Sequence, residues 1–245
     1  MNMEKCGKSA IGKWLIQLRE GKKPDFRPTN HYLFEAVELR GLLYTQPELE
    51  SEFPGIFKNS ALPLVLDVGC YMGHTVIELA KHNPGINVLG LDVKYKRVVK
   101  SCRKIKREQL TNAKIAICDI RELVPILPEG SVFGMLIFFP DPWIKIRHHK
   151  FRFLNEEFFR ELFSRLSRGG FIWIKTDHQE YYEAVSDFAP QCNFTIVDRL
   201  PDKVEQREYR TLFESMFLQK EIPIYQIICK KGTASPLYRA TLKSS

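Results

Sequence analysis

The 245 residues lack the features that would place the chain in a membrane, in a secretory compartment or around a metal. No apolar run approaches the roughly 20 residues that a membrane-spanning helix needs. The polar, charged amino terminus argues against a signal peptide. The six cysteines include no C-x-x-C pair and no metal-ligand spacing, so the sequence predicts reduced thiols in a cytoplasmic protein without a metal site.

Two nucleotide-binding signatures are absent as well. The first predicted strand is followed by Gly69-x-x-x-Gly73, which has no Walker lysine and does not match the G-x-G-x-x-G dinucleotide pattern. A phosphate loop is therefore excluded, and a nicotinamide oxidoreductase is the least favoured class of enzyme.

The chain does carry an excess of positive charge, with 37 Lys and Arg against 29 Asp and Glu and a net charge of +8. Net charge alone favours a merely soluble basic protein. Between Lys94 and Arg107, however, eight basic residues occur with no acidic residue among them. On a helix, four of them would share an outer face opposite an apolar stripe: Lys96, Lys100, Arg103 and Arg107. A face of one sign favours contact with a polyanion over a solvated surface.

Apolar runs alternate with stretches of helical spacing from residue 61 onward, whereas residues 1–60 show no strand alternation. Strands are predicted at 62–68, 86–91, 113–118, 132–138 and 171–176, with closing strands at 194–198 and 222–230 and a loop between those two. Helices are predicted at 73–81, 94–110, 120–127 and 154–166, and in the stretch from Tyr181 to Phe188. This alternation predicts an α/β fold with a mainly parallel twisted sheet and helices on both faces. We expect a domain at 61–232, a partly helical N-terminal extension at 1–60 and a C-terminal tail at 233–245.

An acidic residue stands at or just after the end of each of the first five strands: Asp67, Asp92, Asp119, Asp141 and Asp177. Each of them alone is best explained as a helix cap. Five carboxylates on one edge repel one another unless a cation or hydrogen-bond donors lie between them. With a glycine turn that admits a close ligand, this pattern favours a positively charged ligand such as S-adenosyl-L-methionine (AdoMet). Asp92 follows Gly69 by 23 positions, near the offset expected for an acid that binds ribose, and Asp119 could accept from the adenine amino group.

The fourth strand leads into Pro140-Asp141-Pro142-Trp143 and then into a strongly basic stretch. Each proline restricts the preceding residue to extended geometry, so the sequence predicts extended backbone at Phe139 and Asp141. The Asp141 carboxylate would then be held just past the carboxyl end of a strand, the edge at which open α/β sheets bind ligands.

Three motifs resemble the tRNA (guanine-N7-)-methyltransferase family in its bacterial, single-chain form, over roughly residues 60 to 230. The most specific is Phe139-Pro140-Asp141-Pro142-Trp143 with the basic residues Lys145, Arg147, His148 and Lys150. The second is Thr176-Asp177 with Tyr181. The third is Thr211-Leu212-Phe213-Glu214, followed by Pro223-Ile224-Tyr225.

The resemblance implies a Rossmann-like class I methyltransferase fold with an antiparallel last strand. It also implies methyl transfer from AdoMet to N7 of the variable-loop guanine at tRNA position 46, forming 7-methylguanosine. Separately from the resemblance, we expect a monomer or a homodimer. The expected cofactor-binding residues are Asp67, Gly69, Gly73, Asp92, Asp119 and Asp141, of which Asp141 is also the expected catalytic residue. The expected substrate-binding residues are Lys145, Asp177, Thr211, Phe213 and Glu214. The tRNA backbone is expected at Lys96, Lys100, Arg103, Arg107, Arg147 and Lys150.

The chain departs from the family pattern at four positions. Asp67 and Asp92 replace the usual Glu, so each carboxylate reaches one methylene less far. Tyr71 replaces the middle glycine of G-x-G-x-G, and an aromatic residue is strained there if positive φ is required. Phe151 interrupts the basic run.

Alternative interpretations remain open from the residues alone. Tyr71 is compatible with a degenerate methyltransferase-fold protein that binds tRNA without methylating it. An AdoMet enzyme acting on a small molecule or protein is a third hypothesis, which the basic helix argues against. Glu214 could equally be a solvated loop residue, and Asp177 a helix cap.

Overall fold

The computed structural model of the protein describes residues 15–22, 31–141, 153–200 and 211–232. Its strands are β1 (Leu43–Thr45), β2 (Leu64–Val68), β3 (Asn87–Asp92), β4 (Ala113–Ile117), β5 (Val132–Phe138), β6 (Leu166–Thr176), β7 (Phe194–Leu200) and β8 (Tyr225–Lys231). Its α-helices, apart from a helical turn at residues 15–19, are α1 (His31–Glu38), α2 (Gln46–Glu52), α3 (His74–His82), α4 (Tyr95–Arg107), α5 (Ile120–Leu123), α6 (Glu156–Arg165), α7 (Gln179–Phe188) and α8 (Leu212–Gln219).

The eight strands form one sheet in the order β1-β4-β3-β2-β5-β6-β8-β7. The pairs from β1 to β6 are parallel, and β8 runs antiparallel to both of its neighbours, β6 and β7. The predicted mainly parallel sheet with an antiparallel last strand is therefore confirmed. Strand order reverses between β2 and β5, and such a switch point opens a crevice at the carboxyl ends of those two strands.

Helices cover both faces of the sheet, as the sequence predicts. Helices α1, α3 and α4 pack on the face that carries Val65, Val88 and Ile115. On the other face, α2, α5, α6 and α7 pack against Leu66 and Leu89. Successive strand residues thus contact opposite helical layers, which explains why the central strands read as continuous apolar runs instead of alternating ones.

The amphipathic pattern of α4 matches the predicted basic helix. Its buried residues are Val98, Val99, Ser101, Cys102 and Ile105, whereas the predicted outer basic residues are exposed. Burial of the apolar stripe against β3 and β4 positions this helix, and the basic face is left toward solvent.

Two local predictions were wrong. The stretch between β7 and β8 contains a helix, α8, where the sequence analysis expected a loop. Helical spacing was predicted up to Leu166, but Leu166 already pairs with Val132, so β6 begins five residues before the predicted strand at 171. Local spacing cannot reveal this pairing, because the partner strand lies far away in the chain.

The N-terminal region contributes a strand that the sequence analysis did not predict. Strand β1 pairs in parallel with β4 at the edge of the sheet. Arg19 ties the region together: its guanidinium contacts Glu48 and donates to the carbonyl oxygens of Ala36 at 3.0 Å and Leu43 at 2.8 Å. In the portions of the chain that the structure describes, no helix combines the length and the apolar character that crossing a membrane would require.

Candidate active site

The carboxyl ends of β2, β3 and β5 meet at one edge of the sheet and bring together the acids that follow them. Asp67 is the fourth residue of β2 and is 3% exposed, so it lies inside the strand and not after it. Among the described residues, its Oδ2 atom has no hydrogen-bond partner. Burial, reinforced by the nearby Asp92 carboxylate, raises the pKa of Asp67 to about 7. A buried acceptor in this state suits a cationic ligand, which would both pair with it and lower its pKa.

Asp92 closes β3 and is almost as deeply buried, at 5% exposure. Its carboxylate accepts from the backbone N–H of Lys94 at 2.8 Å and from that of Tyr71. The guanidinium of Arg97 lies 3.5 Å away. Burial raises the pKa of Asp92, while these donors oppose the rise. Asp92 is therefore oriented by its surroundings, whereas Asp67 keeps an uncommitted oxygen.

The turn after β2 passes through the left-handed region of the backbone at three residues, with φ of 77° at Gly69, 51° at Tyr71 and 71° at Gly73. The position at which the chain departs from the family's glycine pattern thus does require positive φ, and Tyr71 adopts it. Gly73 is also needed for close packing, because a Cβ atom there would lie 2.8 Å from that of Ser101. The turn keeps the backbone path that glycines would allow.

Helix α4 holds this turn through side chains that the sequence analysis did not single out. The Ser101 hydroxyl lies 3.3 Å from the carbonyl oxygen of Tyr71 and 3.0 Å from that of Arg97, so its single proton is shared between these two acceptors. Lys104 Nζ donates to the carbonyl oxygen of Met72 at 3.0 Å. The Arg97 guanidinium lies 4.6 Å from the centre of the Tyr71 ring. Arg97, Ser101 and Lys104 occupy positions i, i+4 and i+7 of the helix. This spacing is the sequence signal for a second polar stripe, which faces the turn.

The segment after β5 differs from the predicted geometry. Phe139 precedes a proline yet has φ of 52°, so the expected extended conformation was wrong. Its backbone N–H donates to the carbonyl oxygen of Lys175 at 2.8 Å, and its ring packs 5.1 Å from that of Phe217. These tertiary contacts outweigh the local preference that proline imposes. Asp141, two residues further on, is exposed.

The remaining two strand-end acids are engaged locally. Asp119 caps α5 by accepting from the backbone N–H of Arg121 at 3.1 Å, and it also pairs with the Arg121 side chain at 2.7 Å. Asp177 follows β6, is partly exposed, and lies 3.8 Å from His178 Nε2. The interpretation of Asp119 as a helix cap is confirmed. Ligand binding by Asp119 and Asp177 remains a prediction.

The third motif, Thr211-Leu212-Phe213-Glu214, forms the start of α8. Thr211 and Glu214 make a capping box in which the Thr211 hydroxyl accepts from the Glu214 N–H at 3.1 Å and Glu214 Oε2 accepts from the Thr211 N–H at 3.2 Å. The same Oε2 accepts from Lys175 Nζ at 2.8 Å, and both side chains of this ion pair are 0% exposed. The sequence signal for the capping box, T-x-x-E, was present and overlooked.

Phe213 extends from the same helix toward the crevice and is 37% exposed. Its ring centre lies 5.4 Å from that of Tyr71 and 6.3 Å from that of Phe139. Three aromatic residues from three separate segments therefore meet at this edge of the sheet.

The outer basic face of α4 exposes Lys96, Lys100, Arg103 and Arg107. Arg103 is engaged by Glu35 of α1 through two hydrogen bonds, so part of its charge is already compensated. The other predicted basic contacts, Lys145, Arg147 and Lys150, lie outside the described residues, as does the rest of that basic run. In the described part of the chain, no three His, Cys, Asp or Glu side chains are grouped to hold a metal ion.

Comparison with known proteins shows which family this chain is similar to. Residues 61–227 match the model of the family described as "Putative methyltransferase". The tRNA (guanine-N(7)-)-methyltransferase of Dechloromonas aromatica is 32% identical over 229 residues, which cover 92% of this chain and 91% of that protein. The enzyme of the same name from Geobacter metallireducens is 32% identical over 177 residues, covering 69% and 83%.

A solved structure supports the fold independently. The antibiotic-resistance methyltransferase Kmr superposes with a TM-score of 0.54 at 15% identity, covering 78% of this chain and 95% of that protein. Likeness at this identity concerns the fold alone, and it confirms the predicted Rossmann-like architecture.

Proposed function

The chain belongs to the tRNA (guanine-N(7)-)-methyltransferase family, and from this premise we propose that it transfers a methyl group from AdoMet to N7 of a tRNA guanine. The guanine is the variable-loop base at position 46, and the product is 7-methylguanosine. The observation that carries the cofactor half of the proposal is the buried Asp67 oxygen without a partner among the described residues. The substrate half comes from the relatives.

The residues at the crevice fit AdoMet by their chemistry. Asp67 would pair with the ligand's ammonium, since its uncommitted oxygen is removed from water and gains most from a cation. Asp92, held by its backbone donors, would accept from the ribose hydroxyls, and Asp119 from the adenine amino group. Gly69 and Gly73 supply the turn that lets backbone approach the ligand.

Methyl transfer requires that the two reactants be positioned and that the developing charge be stabilised. When bound, AdoMet supplies a methyl group on a positively charged sulfur, which the lone pair of guanine N7 can attack without prior loss of a proton. The chain's task is therefore to align the two reactants and to stabilise the positive charge that develops on the purine. Asp141, exposed just beyond β5, is the carboxylate that we assign to this second task.

Guanine is distinguished from adenine by donors at N1 and at the 2-amino group, so acceptors are needed on the protein. Asp177 is partly exposed at the end of β6 and would accept from them. Glu214, for which the resemblance implies a similar role, already accepts from Lys175 and from the Thr211 N–H, so its first contribution is to hold α8. Thr211, Phe213 and Lys145 complete the proposed substrate contacts.

The tRNA backbone would lie along the outer face of α4. Lys96, Lys100 and Arg107 are exposed there, on the helix whose inner residues grip the cofactor turn. Arg103 would add to the face once it exchanges Glu35 for a phosphate, and Arg147 and Lys150 remain proposed contacts from the motif. A basic, single-sign face of this kind supplies affinity without reading sequence.

The direct test is methyl transfer by the purified full-length chain from labelled AdoMet to unmodified tRNA. Incorporated 7-methylguanosine is located by its alkali-labile chain scission, and we expect a single site in the variable loop. Retained tRNA binding without transfer would favour the second candidate, a binding-only relative, for which the aromatic residue at position 71 is the specific observation. Transfer to other acceptors but not to tRNA would contradict the proposed substrate.

A further inference from the structure

Two aromatic residues beside the crevice occupy a backbone region that aromatic residues rarely adopt. Tyr71, three residues after β2, has φ of 51°, and Phe139, directly after β5, has φ of 52°. The other described non-glycine residues with positive φ are Gln109, Asn193 and Glu221, which follow helices, where left-handed residues are common. Strained residues that flank a crevice indicate that something other than local preference keeps them there.

The rings of Tyr71 and Phe139 both lie near the ring of Phe213. Phe213 lies 5.4 Å from Tyr71 with the rings nearly edge to face, at 67°, and 6.3 Å from Phe139. Since β2 and β5 are the strands on either side of the switch point, Phe213 contacts both walls of the crevice from α8. The left-handed backbone at both residues thus coincides with a three-ring cluster across the ligand-binding edge.

The Tyr71 ring has a second neighbour besides Phe213. Arg97 packs 4.6 Å from its centre and reaches the Asp92 carboxylate at 3.5 Å. The Tyr71 N–H donates to the same carboxylate. The ring, the guanidinium and the acid that we assign to the ribose therefore form one connected unit, in which the Tyr71 ring is held in a defined place.

We propose that Tyr71 is a determinant of cofactor affinity, because its ring and that of Phe213 form an aromatic cover over the bound AdoMet. This rests on the proposed function, which supplies the ligand. A glycine at position 71 would leave the cover open, whereas Tyr71 removes apolar surface of the ligand from water. Aromatic rings are also favourable neighbours for a cationic ligand. The positive φ of Tyr71 is then maintained by the contacts of its ring.

The test is calorimetric titration of AdoMet, without tRNA, into the full-length chain and its variants, with dissociation rates from stopped flow. Tyr71→Gly and Phe213→Ala should each raise Kd by about five-fold, mostly through faster dissociation, as expected for loss of one aromatic contact. The double variant should lose less than the product of the two single effects, since the two rings act as one contact. Two control variants should keep Kd within about two-fold of wild type. Tyr71→Phe retains the aromatic ring, and Met216→Ala removes an exposed apolar side chain from α8, the helix that carries Phe213.

The outcomes separate this proposal from the proposed function. If wild type binds AdoMet and Tyr71→Gly binds it with the same Kd, the proposed aromatic cover is overturned while the proposed function stands. Tighter binding by Tyr71→Gly would also overturn it, because the ring would then obstruct the site. No AdoMet binding by wild type or Tyr71→Gly would overturn the proposed function and the cover together. Phe213 is partly exposed, so Phe213→Ala should remain folded, and thermal unfolding of each variant checks this.

Discussion

At the scale of single residues, Asp67 makes the sharpest prediction. With a pKa of about 7, this carboxyl is protonated in roughly half of the apo molecules at neutral pH and in most of them at lower pH. A cationic ligand binds the ionised form, so AdoMet affinity should increase as the pH rises through 7, and binding at pH 7 should release about half a proton per protein molecule. Proton release is measured by calorimetry in two buffers with different ionisation enthalpies.

The ammonium of AdoMet also contributes to this pH profile, because amino groups of this kind lose their proton near pH 8. Comparison of wild type with Asp67→Asn therefore isolates the contribution of Asp67. The variant should bind AdoMet more weakly and release no proton at pH 7. Apo stability gives a second readout: the unfolded acid ionises near pH 4 and the folded one near 7, so Asp67 destabilises the fold progressively as pH rises between those values. Asp67→Asn should remove that part of the slope, and an unaltered proton release would contradict the assignment.

Asp141 carries the second prediction at this scale. Asp141→Ala should lower kcat by about 100-fold or more, the effect expected when a group that stabilises transition-state charge is removed. The Kd for tRNA should stay within about two-fold, since one exposed carboxylate contributes nothing favourable to a polyanion. Single-turnover methylation and filter binding measure the two quantities. The matched control is Asp187→Ala, at an exposed acid of α7, and turnover retained by Asp141→Ala would remove Asp141 from the mechanism.

At the scale of elements, the central strands could be predicted closely. The run at 132–138 coincides with β5, and the strand at 113–118 differs from β4 by one residue. These segments are buried on both faces, so their composition alone distinguishes them from the helices. Strand β1 could not be predicted, because three residues at an edge give no periodicity and the pairing with β4 is a long-range property.

The candidate site divides in the same way. The positions of the strand-end acids follow from the alternation of strands and helices, so the sequence could indicate the acids at one edge. Three features could not be derived: the burial of Asp67 within β2, the left-handed backbone of Phe139 before a proline, and the ion pair of Lys175 with Glu214. Each arises from contacts between segments far apart in the chain, which local patterns do not encode.

That ion pair supplies a prediction for α8. Lys175 and Glu214 are both fully buried, and the Lys175 ammonium also lies 4.9 Å from the Phe138 ring and 4.8 Å from the Trp173 ring. Lys175→Met or Glu214→Leu removes one partner of this buried ion pair, so each should lower the free energy of unfolding by about 3–5 kcal/mol. The double variant buries two apolar side chains instead and should be more stable than either single one. Urea unfolding of the four proteins completes the cycle.

A cycle in which the two losses simply add would show that the pair is not coupled. The experiment also separates a structural from a direct role of Glu214. If Glu214 acts only by stabilising α8, the double variant should recover recognition of guanine along with stability. A double variant that is stable yet fails to recognise guanine would instead support direct contact between Glu214 and the base.

At the scale of the whole molecule, part of the excess positive charge lies on the basic helix α4. The inner side of α4 contacts the turn after β2 through Ser101 and Lys104, while the outer side exposes Lys96, Lys100 and Arg107. One helix therefore connects the proposed cofactor site with the proposed phosphate contacts. An acidic crevice beside a basic face would also separate the two proposed ligands by charge, since a cationic cofactor and a polyanionic substrate would be drawn to different surfaces.

Salt dependence tests this arrangement. Each phosphate contact that is lost should reduce the slope of log Kd against log salt concentration by about 1, so Lys100→Gln should weaken tRNA binding and flatten the slope by about that amount. Lys58→Gln is the matched control, because this exposed lysine precedes β2 and so lies toward the opposite, amino-terminal edge of the sheet. Both variants lower the net charge equally. Equal slopes for the two variants would mean that only net charge matters and that the face of α4 is merely solvated, whereas a change confined to Lys100→Gln would establish that the tRNA lies along this helix.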